Sequence, residues 1–255
     1  MTTNRRMILR LFAGVPLLAA SGRAAWAVKE SRIGRLMQQA RTHAQVSQRV
    51  DFISRALLGA RYEANTLIGG PRRRERFVVR DDAFDCVTYC EVVLAAAIGK
   101  DLDEFETVLR RIRYDEGDVR WDQRNHYFAD WNRRIVENKI CSPVMIKPSV
   151  VIEKTVVGEI GKRDVSITAI PAASLASNRD ALKSGDVIGF VSRQPNLDFY
   201  HAGFVAFGKG SSLLLRHASQ SHGRILDEPM DEFVAANGTK YVTVVRAEEP
   251  APATT

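Results

Sequence analysis

The sequence predicts an α+β domain in which N-terminal helices pack on a C-terminal antiparallel sheet, with a cysteine at a helix start facing that sheet. Two observations predict it: apolar residues recur at helical spacing through the first half, and the second half is a run of β-branched and aromatic segments separated by turn residues. A third is local: an Asp-Cys pair opens an apolar stretch in the first half, and two histidines sit in strand-like segments of the second half.

Taken in order, Ile33, Leu36, Met37 and Ala40 form one helical stripe, and Val50, Ile53, Ala56 and Leu57 form another that ends at Gly59. The stretch from Cys86 to Ile98 places Val87, Cys90, Leu94, Ala97 and Ile98 on one face, with Asp82 and Asp85 as candidate caps before it and Gly99 after it. Leu102, Phe105, Val108, Leu109 and Ile112 mark a further amphipathic helix, and another runs through Trp131 to Val136. After Pro148 the segments Val150 to Val157, Val165 to Ile170, Val187 to Val191, Tyr200 to Phe207, Ser212 to His217 and Tyr241 to Val245 read as strands.

The ends of the chain read differently. Arg5-Arg6, the apolar run from Leu11 to Ala20 and Ala25-Trp26-Ala27 look like an export signal over residues 1–27, of a twin-arginine-like type, with a periplasmic or secreted destination. The run is too short for the roughly 20 apolar residues of a membrane span. Residues 28–247 then form a single domain and 248–255 a polar, frayed tail. Four arginines and no acid lie in residues 1–27, so the formal charge of +7 becomes +3 once they are removed. That weakens a nucleic-acid reading, and Arg72-Arg73-Arg74 with Arg76 reads as a solvated loop.

Three cysteines, an odd number, leave at least one thiol unpaired. Cys90 falls one turn after Cys86 in the apolar stripe and reads as core; Cys141 is either buried or bridged to Cys90. Cys86, on the first turn, has the helix dipole and unpaired amides that lower a thiol pKa, so it is the expected nucleophile. A three-residue hairpin loop centred on Lys209 would pair residues whose numbers sum to 418, setting His201 directly opposite His217. At a cross-strand Cβ separation of roughly 5 Å one imidazole can orient the other, which completes a triad of Cys86, His201 as base and acid, and His217. His126, Tyr127, Asp130 and Trp131, in a polar and aromatic stretch, and Asp198, just before the His201 strand, are candidate substrate contacts that packing would explain equally. The five histidines and three cysteines lack metal-ligand spacing and no phosphate loop is present, so no metal or cofactor is expected.

The blocks Leu58-Gly59-Ala60-Arg61-Tyr62, FDCVTYCE (84–91), Lys183 to Phe190, YHAGF (200–204) and RHAS (216–219) resemble, in order, those of the NlpC-type papain-like cysteine peptidases. The resemblance is closer to the N-acetylmuramoyl-L-alanine amidase-like branch, which has DCVT and an Arg-x-His-Tyr-Phe block like Arg124 to Phe128. It implies a papain-like fold, the same triad, and Tyr62 as an oxyanion or substrate-positioning group, which a core-edge aromatic would also match. Arg61 stands where the family usually has proline. The expected reaction is hydrolysis of the amide between N-acetylmuramic acid and L-alanine in peptidoglycan or muropeptides. A stem-peptide endopeptidase and a catalytically silent wall-binding protein are the rivals.

Overall fold

The computed structural model describes residues 31–250, so the segment read as an export signal lies outside the described residues. The chain opens with α1 (Arg32–Ala40) and α2 (Val46–Ala56), each burying the stripe its spacing marks out. Short strands β1 (Arg61–Tyr62), β2 (Ile68–Gly70), β3 (Arg73–Arg76) and β4 (Ala83–Phe84) lead to α3 (Cys86–Ile98), α4 (Leu102–Arg113) and α5 (Phe128–Glu137). The arginine run is therefore the second strand of a hairpin instead of a loop, with its guanidinium side chains exposed and Glu75 buried between them. Eight more strands follow: β5 (Cys141–Pro143), β6 (Val150–Gly158), β7 (Gly161–Pro171), β8 (Val187–Val191), β9 (Phe199–Phe207), β10 (Leu213–Ser219), β11 (Arg224–Pro229) and β12 (Tyr241–Ala247). Between β11 and β12 lies α6 (Met230–Ala236).

The large sheet has the order β4-β1-β11-β10-β9-β8-β12-β7-β6, with β5 beside β12. Every pairing in it is antiparallel except β1 with β4. Helices α1 to α5 cover one face, and a second apolar cluster containing Phe190, Val205, Leu215 and Met230 lies under α6 on the other.

Helix α3 is the centre of the fold. Its sequence marks one apolar face, yet Thr88 through Ala97 are all buried, because neighbours enclose it all round. Tyr89 donates its hydroxyl proton to the Ser54 carbonyl (2.9 Å) and stands edge-on to Phe204, tying α3 to both α2 and β9. The acid enclosed with it, Glu91, is matched by Arg113 at 2.8 Å, both about 2–3 % exposed. Removing either partner would leave an uncompensated buried charge.

A second buried cation joins the helices to the sheet. Arg216 on β10 grips Asp227 of β11 through Nε and Nη2 (2.7 and 2.8 Å) and reaches Asp51 and Ser54 of α2 through Nη1 (3.0 and 3.2 Å). The bidentate fork holds β10, β11 and α2 in one geometry. Beyond β12 the chain remains anchored: Glu248 donates its amide proton to the Ile140 carbonyl, and the Glu249 carboxylate accepts from the Val46 amide at the start of α2. The tail is thus tied down at its first residues.

Candidate active site

The site is built where the N-terminus of α3 meets β9 and β10. Asp85 is the N-cap: its Oδ1 accepts from the Val87 and Thr88 amides (3.0 and 2.7 Å), while Thr88 Oγ1 accepts from the Asp85 amide (3.0 Å). This reciprocal capping box accounts for the first and last residues of the DCVT stretch and fixes Cys86 as the first residue of the helix. Asp82 has another task, pairing with Arg61 (3.1 Å) and Arg80 (2.8 Å).

Cys86 keeps a partly accessible surface, while Cys90 and Cys141 are buried; all three are free thiols. The backbone amides of Ala202, the residue after His201, and of Cys86 and Val87 act on the Cys86 sulfur in the direction that lowers its pKa. These contacts favour the thiolate, as a helix start should. They are outweighed: the surrounding protein, and after it the Asp85 carboxylate, push the Cys86 thiol up to about 12. The expected pKa depression is therefore absent in the resting site, because burial disfavours the thiolate and the cap that fastens the helix adds a negative charge beside the sulfur.

The histidines meet, although not in the expected register. Leu213 faces Phe207 and Arg216 faces Phe204, so paired numbers sum to 420 and the loop is centred on Gly210, at φ +63°. Displacing the centre by one residue moves each partner by two, which preserves the face of every side chain. His201 and His217 are consequently diagonal neighbours instead of directly opposed, and His217 falls opposite Gly203. Their rings still touch, with His201 Nε2 2.6 Å from His217 Nδ1 and the planes nearly perpendicular. Phe233 of α6 packs against both rings. Burial holds both imidazoles neutral, His201 down to about 3 and His217 to about 4.

Gly203 explains part of the YHAGF stretch. A Cβ there would lie 2.8 Å from the Arg216 carbonyl oxygen and 2.9 Å from His217 Cβ, so the missing side chain is the space that the imidazole pair uses. Tyr62 enters from β1, its amide donating to the Gly223 carbonyl at 2.9 Å. Its hydroxyl is held protonated by burial first, then by Cys86 and Asp85, which puts it in the electrostatic neighbourhood of the thiol. Among the described residues no hydrogen bond joins Cys86 to His201 directly, although the helix that Cys86 opens packs against the His201 strand. Such contacts commonly tighten only when substrate is bound.

The other five candidates all make internal contacts. His126 Nε2 contacts the Trp121 carbonyl oxygen at 2.7 Å, and the Tyr127 hydroxyl donates to the Gly161 carbonyl. Asp130 pairs with Arg133 and Arg163, and Trp131, 1 % exposed, stacks on Phe128. Asp198, 3 % exposed, accepts from the Ala129 amide at 2.7 Å and so caps α5 from a distant loop. Together they fasten the β6–β7 hairpin and α5 to the loop before β9. Among the described residues no group of three His, Cys, Asp or Glu side chains is placed to hold a metal ion, and no helix is long and apolar enough to cross a membrane.

The decisive comparison is with protein families: the model of the AmiA-like family, described as N-acetylmuramoyl-L-alanine amidase-like, matches residues 52–240. The chain belongs to the AmiA-like family. The matched span contains Tyr62, Cys86, His201 and His217. Solved structures share the fold. An N-acetylmuramoyl-L-alanine amidase from Bacteroides uniformis is 24 % identical with a TM-score of 0.67, covering 77 % of this chain and 97 % of its own. A protein from Legionella pneumophila str. Philadelphia 1 is 21 % identical with a TM-score of 0.74, covering 89 % and 98 %. A protein from Bacteroides fragilis described as a putative xylanase is 22 % identical with a TM-score of 0.64, covering 76 % and 98 %. No curated protein matches the chain.

Proposed function

We propose that this AmiA-like protein is a cysteine-dependent hydrolase that cleaves the amide between N-acetylmuramic acid and L-alanine in peptidoglycan fragments. The observation that carries this reading is the packing of the helix that Cys86 opens against the histidine strand, where His201 is hydrogen-bonded to His217. The bond cleaved is inferred from the family and from the name of the Bacteroides uniformis relative.

The chemistry follows from the resting protonation states. With a neutral thiol and a neutral imidazole, attack and proton removal are coupled: His201 takes the thiol proton as the sulfur adds to the lactyl carbonyl. The amides at the start of α3 and the Tyr62 hydroxyl supply donors for the oxyanion. Collapse of the tetrahedral species breaks the C–N bond, and His201 returns the proton to the alanine nitrogen. Water, deprotonated by His201, then hydrolyses the thioester, releasing the muramic acid carboxylate and regenerating the thiol. Residues 1–27, read as an export signal, support an activity outside the cytoplasm.

Digestion of defined muropeptides with mass analysis of the products tests the reading. Free disaccharide and an intact stem peptide are expected. A disaccharide that keeps its amino acids, or products identical in a Cys86→Ala variant, would overturn it.

A further inference from the structure

The paired histidines continue to a carboxylate. Glu228 on β11 extends toward His217, and its Oε1 lies 2.6 Å from His217 Nε2. The oxygen sits off the ring N–H axis, so the contact is one of charge at close range instead of an aligned hydrogen bond, and Nε2 has no aligned acceptor among the described residues. His217 is itself 2 % exposed, whereas the Glu228 side chain is 24 % exposed and can reorient.

We propose that Glu228 is a positioning residue that selects the tautomer of His217 and, through it, that of His201. The inference deepens the hydrolase reading above and rests on it.

The argument is one of donors and acceptors. Two neutral imidazoles that share one hydrogen bond have two possible polarities. In one, His217 carries its proton on Nδ1 and donates to His201 Nε2; His201 must then carry its own proton on Nδ1, and no basic nitrogen is left for the thiol. In the other, His217 is protonated on Nε2, its Nδ1 accepts from His201 Nε2–H, and His201 Nδ1 keeps a free lone pair. Only the second gives a base. A carboxylate beside His217 Nε2 favours a proton on that atom and so selects it. The other charged groups facing the pair are His222, Asp227 and Glu232. Asp227 is held by the Arg216 fork, and His222 binds Ser219 Oγ, which leaves Glu228 as the carboxylate in contact with the imidazole.

Nitrogen-15 NMR of the histidine side chains in wild type, Glu228→Gln and Glu228→Ala gives a readout independent of turnover. His217 is expected to be the Nε2–H tautomer in wild type and to shift toward Nδ1–H in Glu228→Ala. On muropeptides, kcat should fall roughly ten- to a hundredfold, a fraction of a whole acid–base contribution, with KM little changed. Glu228→Gln, which keeps a polar oxygen beside Nε2 but not the charge, should lie between the two. Unchanged tautomers in both folded variants would overturn the proposal. A tautomer shift in a protein that cleaves no muropeptide would sustain it and reject the hydrolase reading instead.

Discussion

Gly203 and His217 face each other across β9 and β10, too close for a side chain at position 203. A methyl group at position 203 would meet His217 Cβ at 2.9 Å and Leu215 Cδ1 at the same distance. Gly203→Ala should therefore displace His217 from His201 and cost about 1–3 kcal/mol of stability through overpacking. Urea denaturation paired with a muropeptide assay checks it; an alanine variant with wild-type stability and turnover would contradict the assigned role.

The resting thiol should be slow toward alkylation. With Cys86 pushed up to about 12, its iodoacetamide rate should keep rising through pH 9 to 10, with no plateau near neutrality. A plateau below pH 8 in the substrate-free protein would mean that the resting site holds an ion pair.

Stability should decline on acidification through the histidine range. His201 and His217 are held at about 3 and 4, against 6.5 in the unfolded chain, so the unfolded state binds their protons first. Their contribution is complete above pH 6.5, falls as pH drops toward 4 to 3, and is exhausted below that. Urea midpoints between pH 7.5 and 4.5 should fall less steeply in His217→Gln than in wild type. Parallel slopes would show that the imidazoles are not the cause.

Arg216 makes a similar point about the scaffold. Replacing it with methionine strands Asp227 and leaves Asp51 with Arg55 as its partner, both acids partly exposed, and should destabilise by an amount near the lower end of about 3–5 kcal/mol. Thermal unfolding measures this, and a change under 1 kcal/mol would mean that solvent satisfies the two acids.

Asp198→Ala removes the distant cap of α5 and should cost roughly 0.5–2 kcal/mol, as loss of a helix cap does. Catalytic efficiency of the folded variant should stay within about twofold of wild type. A much larger loss would restore Asp198 as a substrate contact.

What could be read in the chain depended on how much local chemistry each element carried. Asp85 and Gly99 bracket α3 in the sequence as they do in the structure, and the stripes of α1 and α2 point inward as their spacing implies. The β9–β10 hairpin was legible to within one residue of its loop centre, since an even displacement leaves side-chain faces intact and the histidines still meet. The two-residue strands β1 and β4 have no periodicity to detect. Strand β11 was missed because its alternation is masked: Arg224, Asp227 and Glu228 interrupt Ile225 and Leu226, and the strand exists through pairing with β10. Glu228 was hidden with it. In the segment from His126 to Trp131 composition leaves packing and ligand contact open, and the structure shows the packing part: Tyr127 and Asp130 bond to the β6–β7 hairpin.

The Asp85 cap has a consequence for the lifetime of the sulfur. Peroxide and disulfide-forming oxidants attack thiolates, and Cys86 is kept protonated first by the protein packed around it and then by the carboxylate that starts its helix. Burial and the cap together therefore store the thiol of the proposed nucleophile in a form that oxidants attack slowly.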